Sequence, residues 1–315
     1  MVEFADIQAA ARRIAPYVHR TPVMSSRTLD ARTGKRVFLK CENLQRGGAF
    51  KIRGGVNFLF SMPDADVGRG VVAFSSGNHA QAVAIAAGLR RTQATLVMPY
   101  DAPQSKADAT RGYGGRIVQF DRLKEDREAI GRRISEETGA TLVPPFDHPW
   151  IIAGQGTAAM ELLEDTGPLD AIAVCVGGGG LLAGSAIAAR AMQAGIRVFG
   201  VEPELANDWA LSMQAGHPLE IPPPATIADG LRPVKPGKLT FPIVHKLVER
   251  IVLVSEQEIV ETMKFLLLRM KILVEPSGAV AAAAVLFGKL PDEVGRVGVV
   301  LSGGNVDWEL LKGLD

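Results

Sequence analysis

The feature that most restricts the fold is a run of four glycines at 177–180, placed directly after an apolar segment at 171–176. The uncharged stretch 171–189 is about long enough to span a bilayer. Glycine is a poor helix former, however, so four glycines in its middle would break a lipid-exposed helix into two short halves. The pattern therefore predicts a buried strand, a glycine loop and a helix that starts near Leu181.

Strands and helices are predicted to alternate along most of the chain. Strands are predicted where short apolar runs occur, at 37–40, 71–74, 94–98, 116–120, 141–143, 171–176, 197–201 and 297–301. Helices are predicted between them, at 7–15, 79–89, 123–137, 156–163, 181–192 and 255–270. Strand–helix–strand units with short loops indicate parallel sheets covered by helices. We therefore predict an α/β protein, and 315 residues suit about two domains.

Capping residues predict the starts of two helices. Asp6 is a favoured N-cap for the helix at 7–15, and Pro16 would end that helix. Ser255, with Glu258 three residues later, forms a capping box for the helix at 255–270. Such caps satisfy backbone N–H groups that the first turn of a helix leaves without partners.

The charge balance and the cysteine content exclude several functional classes. Lys and Arg number 35 against 34 Asp and Glu, so the net charge of +1 gives no basic surface for nucleic acid. The two cysteines, Cys41 and Cys175, cannot build a disulfide framework, and we predict both to be buried apolar residues. The N-terminus carries Glu3 and Asp6 and shows no apolar leader. We expect a cytoplasmic protein with no nucleic-acid or membrane partner.

The glycine loop is predicted to bind a phosphate group. Glycine N–H groups approach an anion closely, and the N-terminus of the following helix carries about half a positive charge. A flexible turn is the weaker interpretation, since a turn needs only one or two glycines. Gly178, Gly180 and Ala183 also fit the dinucleotide-binding pattern, with Glu202 as the ribose-binding acid. No Gly-Lys-Ser/Thr follows the glycines, so a P-loop is excluded.

Three further segments carry residues suited to chemistry. Lys51 follows Phe50 between two glycine pairs. A partly buried lysine has a lowered pKa and becomes a nucleophile, although a lone lysine is more often solvated. The run Ser75-Ser76-Gly77-Asn78-His79 lies at a strand-to-helix junction, where it suits either a bound carboxylate or an ordinary N-cap. The run Ser302-Gly303-Gly304-Asn305 follows the last strand and alone indicates only a turn.

In this order the four segments resemble the fold-type II pyridoxal-phosphate (PLP) enzymes, and among them the serine/threonine dehydratases and serine racemases. The resemblance extends from Thr21 to Asn305 and includes the segments 152–157, 226–230 and 275–278. It implies a tryptophan synthase β-like fold, with open, mainly parallel sheets and helices on both faces. It also implies a large PLP-binding domain, 1–69 and 148–315, and a small mobile domain, 70–147. The dinucleotide interpretation becomes the weaker alternative.

The resemblance implies roles for the residues that bind PLP. Lys51 would form the Schiff base and remove the α-proton of the substrate, and Phe50 would pack against the ring. Asn78 would contact the ring oxygen, and Ser302 would face the pyridine nitrogen. The phosphate would be held by the glycine loop and the residue after it, Gly177, Gly178, Gly179, Gly180 and Leu181.

For the substrate, the resemblance implies a β-elimination that converts a small β-hydroxy amino acid, L-serine or L-threonine, to a 2-oxo acid and ammonia. Ser75, Asn78 and His79 would hold the substrate carboxylate. Ser76 resembles a racemase residue able to return a proton from the face opposite the lysine. Arg127 resembles a racemase arginine that reaches a second carboxylate, although by composition it is a solvated residue of a charged helix. A 3-hydroxyaspartate dehydratase or a serine racemase is therefore the alternative, and a non-catalytic ligand-binding module is the alternative from another class.

A divalent-cation site is predicted beyond the strand at 197–201. Glu202 and Asp208 are separated by a loop that can fold two carboxylates and the carbonyl of Ala206 around one hard cation. This spacing resembles that of the members of the racemase and dehydratase group that bind metal. Without the resemblance, Glu202 and Asp208 would be interpreted as ordinary surface acids. We expect Mg²⁺, Ca²⁺ or Mn²⁺ in a structural role, and a homodimer.

Overall fold

The computed structural model describes residues 2–75, 77–102 and 104–313, which contain two β-sheets. The strands in these residues are β1 Val23–Met24, β2 Arg36–Cys41, β3 Val71–Phe74, β4 Ala94–Pro99, β5 Arg116–Phe120, β6 Thr141–Leu142, β7 Ala171–Cys175, β8 Arg197–Pro203, β9 Arg250–Val254 and β10 Arg296–Leu301. One sheet has the order β1-β2-β10-β7-β8-β9 and the other has the order β5-β4-β3-β6. The edge strand β1 pairs with β2 in the antiparallel sense, and the remaining pairs are parallel.

Helices connect the parallel strands and cover the sheets. The α-helices are α1 Phe4–Ile14, α2 Arg27–Thr33, α3 Lys51–Ser61, α4 Asp64–Val67, α5 Asn78–Arg90, α6 Gln104–Gly112, α7 Arg127–Thr138, α8 Pro149–Thr166, α9 Gly180–Met192, α10 Asp208–Ala215, α11 Thr240–Leu247, α12 Glu256–Phe265, α13 Pro276–Leu286 and α14 Trp308–Lys312. A helix both long and apolar enough to cross a bilayer is absent from the described part of the chain.

The central strands of the larger sheet are buried on both faces. Every residue of β7 is buried, and so is every residue of β10 after Arg296. Alternation between apolar and polar residues is therefore missing, as is typical of parallel strands between two helix layers. The predicted fold class, an α/β protein with mainly parallel sheets, is confirmed.

Several predicted helix boundaries are wrong by a few residues. The N-cap of α1 is Glu3, not Asp6, because Asp6 occupies the third helical position and closes a capping box with Glu3. The charged helix begins at Arg127 and not near Leu123, because Asp126 accepts a hydrogen bond from Glu128 N and acts as N-cap. The capping box of Ser255 and Glu258 is confirmed.

The last predicted helix divides into two parts. α12 ends at Phe265, and the residues Leu266–Met270 form a short π-helix. Lys271 then adopts the left-handed conformation, with φ of 63°, and terminates the helical run. The residues Leu266–Met270 contain no glycine or proline that would mark this change of helix type in the sequence.

The two sheets fall on either side of the predicted domain boundaries. The strands of the smaller sheet, β3 to β6, all lie within 70–147, and the strands of the larger sheet lie outside that range. The apolar cluster beneath the smaller sheet nevertheless includes Ile14, Val56, Leu59 and Ile151 from outside it. The division into two domains, and the mobility of 70–147, stay predictions.

A buried cluster of four charged residues joins α3 to α8. Arg53 Nε lies 2.7 Å from Glu42 Oε2, and Arg53 Nη1 lies 2.7 Å from Glu161 Oε1. Lys40 Nζ lies 2.7 Å from Glu161 Oε2 and donates to the Thr21 carbonyl. Two cations therefore balance two carboxylates in the interior, which such charges require. Because Arg53 belongs to the first turn of α3, the cluster fixes the helix that carries Lys51.

Candidate active site

One pocket opens at the carboxyl ends of the central strands of both sheets, where ligands bind in open α/β folds. Ser75 follows β3, the glycine loop follows β7 and Ser302 follows β10. The predicted site residues that line this pocket are Phe50, Lys51, Ser75, Asn78, His79, Arg127, Gly177, Gly178, Gly179, Gly180, Leu181 and Ser302. Ser76 lies outside the described residues. The residues predicted to bind cofactor and substrate are thus brought together from segments far apart in the chain.

Lys51 is the first residue of α3, and its amine projects into the pocket. Its Nζ donates to the Pro145 carbonyl at 2.8 Å and lies 5.2 Å from the centre of the Phe50 ring. Burial lowers the pKa of Lys51 to about 8, and the nearby Cys175 and Glu275 oppose this only in part. The result is an amine with a substantial neutral fraction near physiological pH, as a nucleophile or a base requires.

The glycine loop presents the N-terminus of α9 to the pocket. Gly179 is the N-cap, with φ of +94°, and a Cβ atom on it would lie 2.4 Å from the ring of Trp209. Only glycine adopts this conformation in this space without strain. The first backbone N–H groups of α9 have no partner inside the helix, and the helix dipole adds positive potential there. The loop is therefore suited to a phosphate.

Asn78 and His79 are the first two residues of α5. Asn78 Nδ2 donates to Glu275 Oε1 at 2.7 Å, and Asn78 Oδ1 accepts from Asn305 Nδ2 at 2.8 Å. His79 Nε2 lies 3.1 Å from the Val143 carbonyl, so this nitrogen carries the hydrogen. Burial lowers the pKa of His79 to about 3, which leaves its other ring nitrogen as an acceptor. His79 would consequently bind a carboxylate with its backbone N–H and not with its ring.

Ser302 and Cys175 lie together in the pocket. Ser302 Oγ donates to the Ser277 carbonyl at 3.3 Å, and Cys175 lines the same pocket. Burial raises the pKa of Cys175 to about 11, so the thiol is neutral. Cys41 is buried as predicted, but the prediction for Cys175 is incomplete. Cys175 is buried and also lines the site, because it is the last residue of β7 at the carboxyl edge of the sheet.

Arg127 lies at the rim of the pocket as the first residue of α7. Its guanidinium carbon lies 5.8 Å from the centre of the Phe74 ring, a cation–π contact. Within the described residues Arg127 has no carboxylate partner, whereas Lys106 forms an ion pair with Asp229 and Arg232 donates to the Thr226 carbonyl. Arg127 thus presents a guanidinium that remains available to an anion.

The three predicted metal ligands lie close together in sequence and are all buried, away from the pocket. Glu202 lies at the carboxyl end of β8 and accepts hydrogen bonds from Trp209 N at 3.3 Å and Ala210 N at 2.8 Å. Asp208 is the first residue of α10, and its Oδ2 has no partner among the described residues. Burial, and then the charge of Asp208, raise the pKa of Glu202, and burial raises the pKa of Asp208 to about 7. No cluster of three or more His, Cys, Asp or Glu side chains is found in the described chain, so a cation here would need the Ala206 carbonyl as well.

Sequence reasoning missed several pocket residues. They include Phe74, Lys106, Pro145, Phe146, Cys175, Asp229, Arg232, Glu275 and Ser277. Asp229 and Glu275 lie in segments that the resemblance singles out, and this was an available signal. Lys106 belongs to a polar helix, α6, in which nothing local distinguishes it.

The fold and the pocket define an α/β protein with a lysine of lowered pKa and a glycine loop suited to a phosphate. The chain belongs to the family of pyridoxal-phosphate dependent enzymes, and the sequence model of that family matches residues 14–303. It is 52% identical to the L-threo-3-hydroxyaspartate ammonia-lyase of a Pseudomonas species, over 98% of each chain. It is 47% identical to the serine racemase of Schizosaccharomyces pombe, over 97% of this chain and 95% of the relative. The structure of maize serine racemase matches with a TM-score of 0.96 and 46% identity, over 99% of this chain and 96% of that one.

The predicted membership of the dehydratase and racemase group is confirmed by these comparisons, and so is PLP as the cofactor. The pocket fits PLP by its chemistry. It combines a lysine of lowered pKa, a glycine loop at a helix N-terminus, and neutral hydroxyl and amide groups. When bound, PLP supplies an electron sink that makes the α-proton of an amino acid acidic.

Proposed function

We propose that the protein is an ammonia-lyase that acts on 3-hydroxyaspartate, with L-serine and L-threonine as smaller β-hydroxy substrates. The reaction removes the α-proton and the β-hydroxyl as water. Hydrolysis of the resulting imine then gives a 2-oxo acid and ammonia. The observation that carries the choice of a diacid is Arg127, a cation at the rim of the pocket without a carboxylate partner in the described chain. The 52% identity to an L-threo-3-hydroxyaspartate ammonia-lyase supports it.

The proposed roles follow from the placement of the groups. Lys51 holds the cofactor and takes the α-proton with its neutral amine. The backbone N–H groups of the glycine loop and of Leu181 hold the phosphate, and Phe50 flanks the ring. Ser302 faces the ring nitrogen with a neutral hydroxyl. Ser75 and the first turn of α5, which includes Asn78 and His79, bind the α-carboxylate.

Replacement of Arg127 tests the substrate. A guanidinium that binds the second carboxylate contributes about 1.5–3 kcal/mol, which corresponds to roughly a ten- to a hundredfold change in kcat/KM. We expect R127A to lower kcat/KM for L-threo-3-hydroxyaspartate by this factor and to change the value for L-serine much less, because L-serine has no second carboxylate. Ammonia release from both substrates, with the stereoisomers of 3-hydroxyaspartate compared, provides the measurement.

Arg132 on the same helix supplies the matched control. It is exposed, pairs with Glu128 at 3.5 Å and does not line the pocket. R132A should therefore leave both substrates unaffected. If R127A reduces kcat/KM equally for the diacid and for L-serine, Arg127 does not recognise the second carboxylate.

Racemisation of serine is the second candidate activity. It is supported by the 47% identity to a serine racemase and by the close match to the maize racemase structure. We propose Ser76 as the residue that returns the proton, on the resemblance alone, because the residue lies outside the described part. Chiral analysis of L-serine reactions, run in the same assays as ammonia release, separates racemisation from elimination.

A divalent cation at Glu202, Ala206 and Asp208 is likewise proposed. The carboxyl oxygen Asp208 Oδ2 is buried without a partner in the described residues, next to a second buried carboxylate. Two carboxylates and a carbonyl oxygen are the ligands that Mg²⁺ and Ca²⁺ prefer. A bound cation would offset the cost of burying these charges, so we assign it a structural role.

Thermal unfolding tests the cation site. At a hundredfold excess over its Kd, a bound cation stabilises the fold by about 2.7 kcal/mol, or roughly 5 °C in Tm for a chain of this size. We expect Mg²⁺ or Ca²⁺ to raise Tm in the wild type and a chelator to reverse this. D208A should abolish the response, whereas E204A, which removes an exposed acid in the same turn, should keep it. A chelator-insensitive Tm would exclude the site.

We also propose that the protein forms a homodimer and that 70–147 moves as a unit. Four leucines are exposed on the surface, Leu44, Leu267, Leu268 and Leu273. Asn43 Nδ2 donates to the Leu273 carbonyl, which places Leu44 and Leu273 in neighbouring segments. Such an apolar patch suits contact with a second copy.

The proposed motion of 70–147 would affect two contacts across the cleft. Lys106 of α6 pairs with Asp229, and Ser105 bonds to Asp307, and both contacts would break and re-form as the unit moves.

A further inference from the structure

A chain of side-chain hydrogen bonds runs along the wall of the pocket. Asn305 Nδ2 donates to the Gly47 carbonyl and to Asn78 Oδ1, each at 2.8 Å. Asn78 Nδ2 then donates to Glu275 Oε1 at 2.7 Å. Asn78 and Glu275 both line the pocket, and neither Glu275 nor Asn305 has a role so far.

The chain has only one consistent polarity. The Gly47 carbonyl can only accept, so Asn305 must direct its nitrogen toward it. That nitrogen has two hydrogens, and the second faces Asn78, which must therefore present its oxygen. The nitrogen of Asn78 is consequently directed toward Glu275. This assignment starts from a backbone group and settles which way each amide is turned.

One hydrogen of Asn78 remains uncommitted. Its amide nitrogen has two hydrogens, and Glu275 accepts one of them. Because Asn78 lines the pocket, the second hydrogen is left for an acceptor on a bound ligand. In this arrangement Asn78 can only donate to such a ligand, since its oxygen is already engaged by Asn305.

Glu275 is held in place by the backbone around it. Its side chain is buried, and a Cβ atom on Gly303 would lie 2.4 Å from Glu275 Oε1. Glu275 N also donates to the Gly303 carbonyl at 3.1 Å. Burial and the charge of Asp229 raise the pKa of Glu275 to about 8, and Oε1 can accept from Asn78 in either protonation state. In the described chain no cation lies within salt-bridge distance of this carboxyl, so its burial costs stability.

We propose that Glu275 and Asn305 are positioning residues that fix the polarity of the Asn78 amide, so that Asn78 acts solely as a donor to the ring oxygen of PLP. The inference rests on the proposed contact between Asn78 and the ring. A donor at this place favours the deprotonated ring oxygen, because a hydrogen bond to the charged form stabilises that form. Without Glu275, the Asn78 amide loses the acceptor of one hydrogen, and only Asn305 still opposes a turn that would present the oxygen to the ring.

Two measurements test this proposal. The first is the absorbance spectrum of the bound cofactor, which reports the protonation of its ring oxygen, and the second is the Kd of PLP for the apoenzyme. We expect N78A and E275A to reduce the deprotonated form in the same direction. Each should weaken PLP binding about three- to tenfold, the value of one hydrogen bond. In its spectrum, the double variant N78A/E275A should match N78A alone, because Glu275 reaches the ring oxygen only through Asn78.

Two further variants complete the test. E256A is the matched control, since Glu256 accepts one backbone N–H at 2.7 Å outside the pocket, and its spectrum should equal that of the wild type. In N305D the carboxylate attracts the nitrogen of Asn78, so the spectral change of E275A should recur even if E275A itself does not fold. An altered spectrum in N78A with no change in E275A or N305D would refute the positioning role. An unaltered spectrum in N78A would instead refute the proposed contact with the ring.

Discussion

Replacement of Lys51 by alanine is expected to abolish turnover while the fold remains intact. By the roles proposed for Lys51, the variant loses both the amine that holds the cofactor and the base that takes the α-proton. General-base catalysis alone contributes about 10²–10⁴-fold, so we expect kcat to fall by at least a thousandfold. Borohydride reduction of the wild type followed by peptide mapping should place the pyridoxyl group on Lys51. A label on another lysine would overturn the assignment.

The lowered pKa of Lys51 adds a pH test for the same residue. Burial lowers this pKa to about 8 in the protein without cofactor, and covalent attachment of PLP requires the neutral amine. The rate of PLP capture by the apoenzyme should therefore rise with pH and level off above about 8. K264A, which removes a lysine of α12 outside the pocket, should capture PLP at the wild-type rate. A midpoint near the ordinary lysine value of about 10.4 would show that the pKa of Lys51 is not lowered.

The fold and the glycine loop are predictable because their signals are local. An apolar run, four glycines and an Ala-rich segment specify a strand, a loop and a helix within about 25 residues. Parallel strands place their carboxyl ends along one edge of their sheet, so the residues after β7 and β10 converge without any further signal. Ser75, which follows β3 of the other sheet, joins them because both sheets border the same pocket. Lys51, by contrast, gains its chemistry from burial, and sequence alone favours a solvated side chain.

The remaining site residues depend on contacts between distant segments. Lys106 has an ordinary place in α6 and becomes a pocket residue only because Asp229 lies across the cleft. The polarity of Asn78 is determined by Gly47, Asn305 and Glu275, and no spacing in the sequence encodes such a chain. Arg53 is a similar case, because its partners Glu42 and Glu161 are 11 and 108 residues away.

Removal of Glu161 is expected to cause the largest loss of stability. Glu161 accepts two hydrogen bonds from Arg53, at 2.7 and 2.8 Å, and lies 2.7 Å from Lys40. E161A would leave Arg53 with Glu42 as its one carboxylate partner in the described chain and Lys40 with only Asp165, at 3.9 Å. Breaking a buried ion pair by removing one partner costs about 3–5 kcal/mol, and denaturant unfolding should show a loss of this size. Because Arg53 lies in the first turn of α3, the variant should also capture PLP on Lys51 more slowly.

Exposure and pH distinguish this cluster from surface charge pairs. E128A removes an exposed partner of Arg132, and its unfolding free energy should change by less than about 1 kcal/mol. Burial disfavours ionisation of Glu161, but the hydrogen bonds and charges of Arg53 and Lys40 outweigh it and hold its pKa below the ordinary value. The stabilisation by Glu161 is therefore complete above the unfolded pKa of about 4.3 and is lost as pH falls through the folded pKa. The wild type should consequently lose more stability than E161A on acidification below about pH 4, whereas parallel pH profiles would show that Glu161 is not ionised in the cluster.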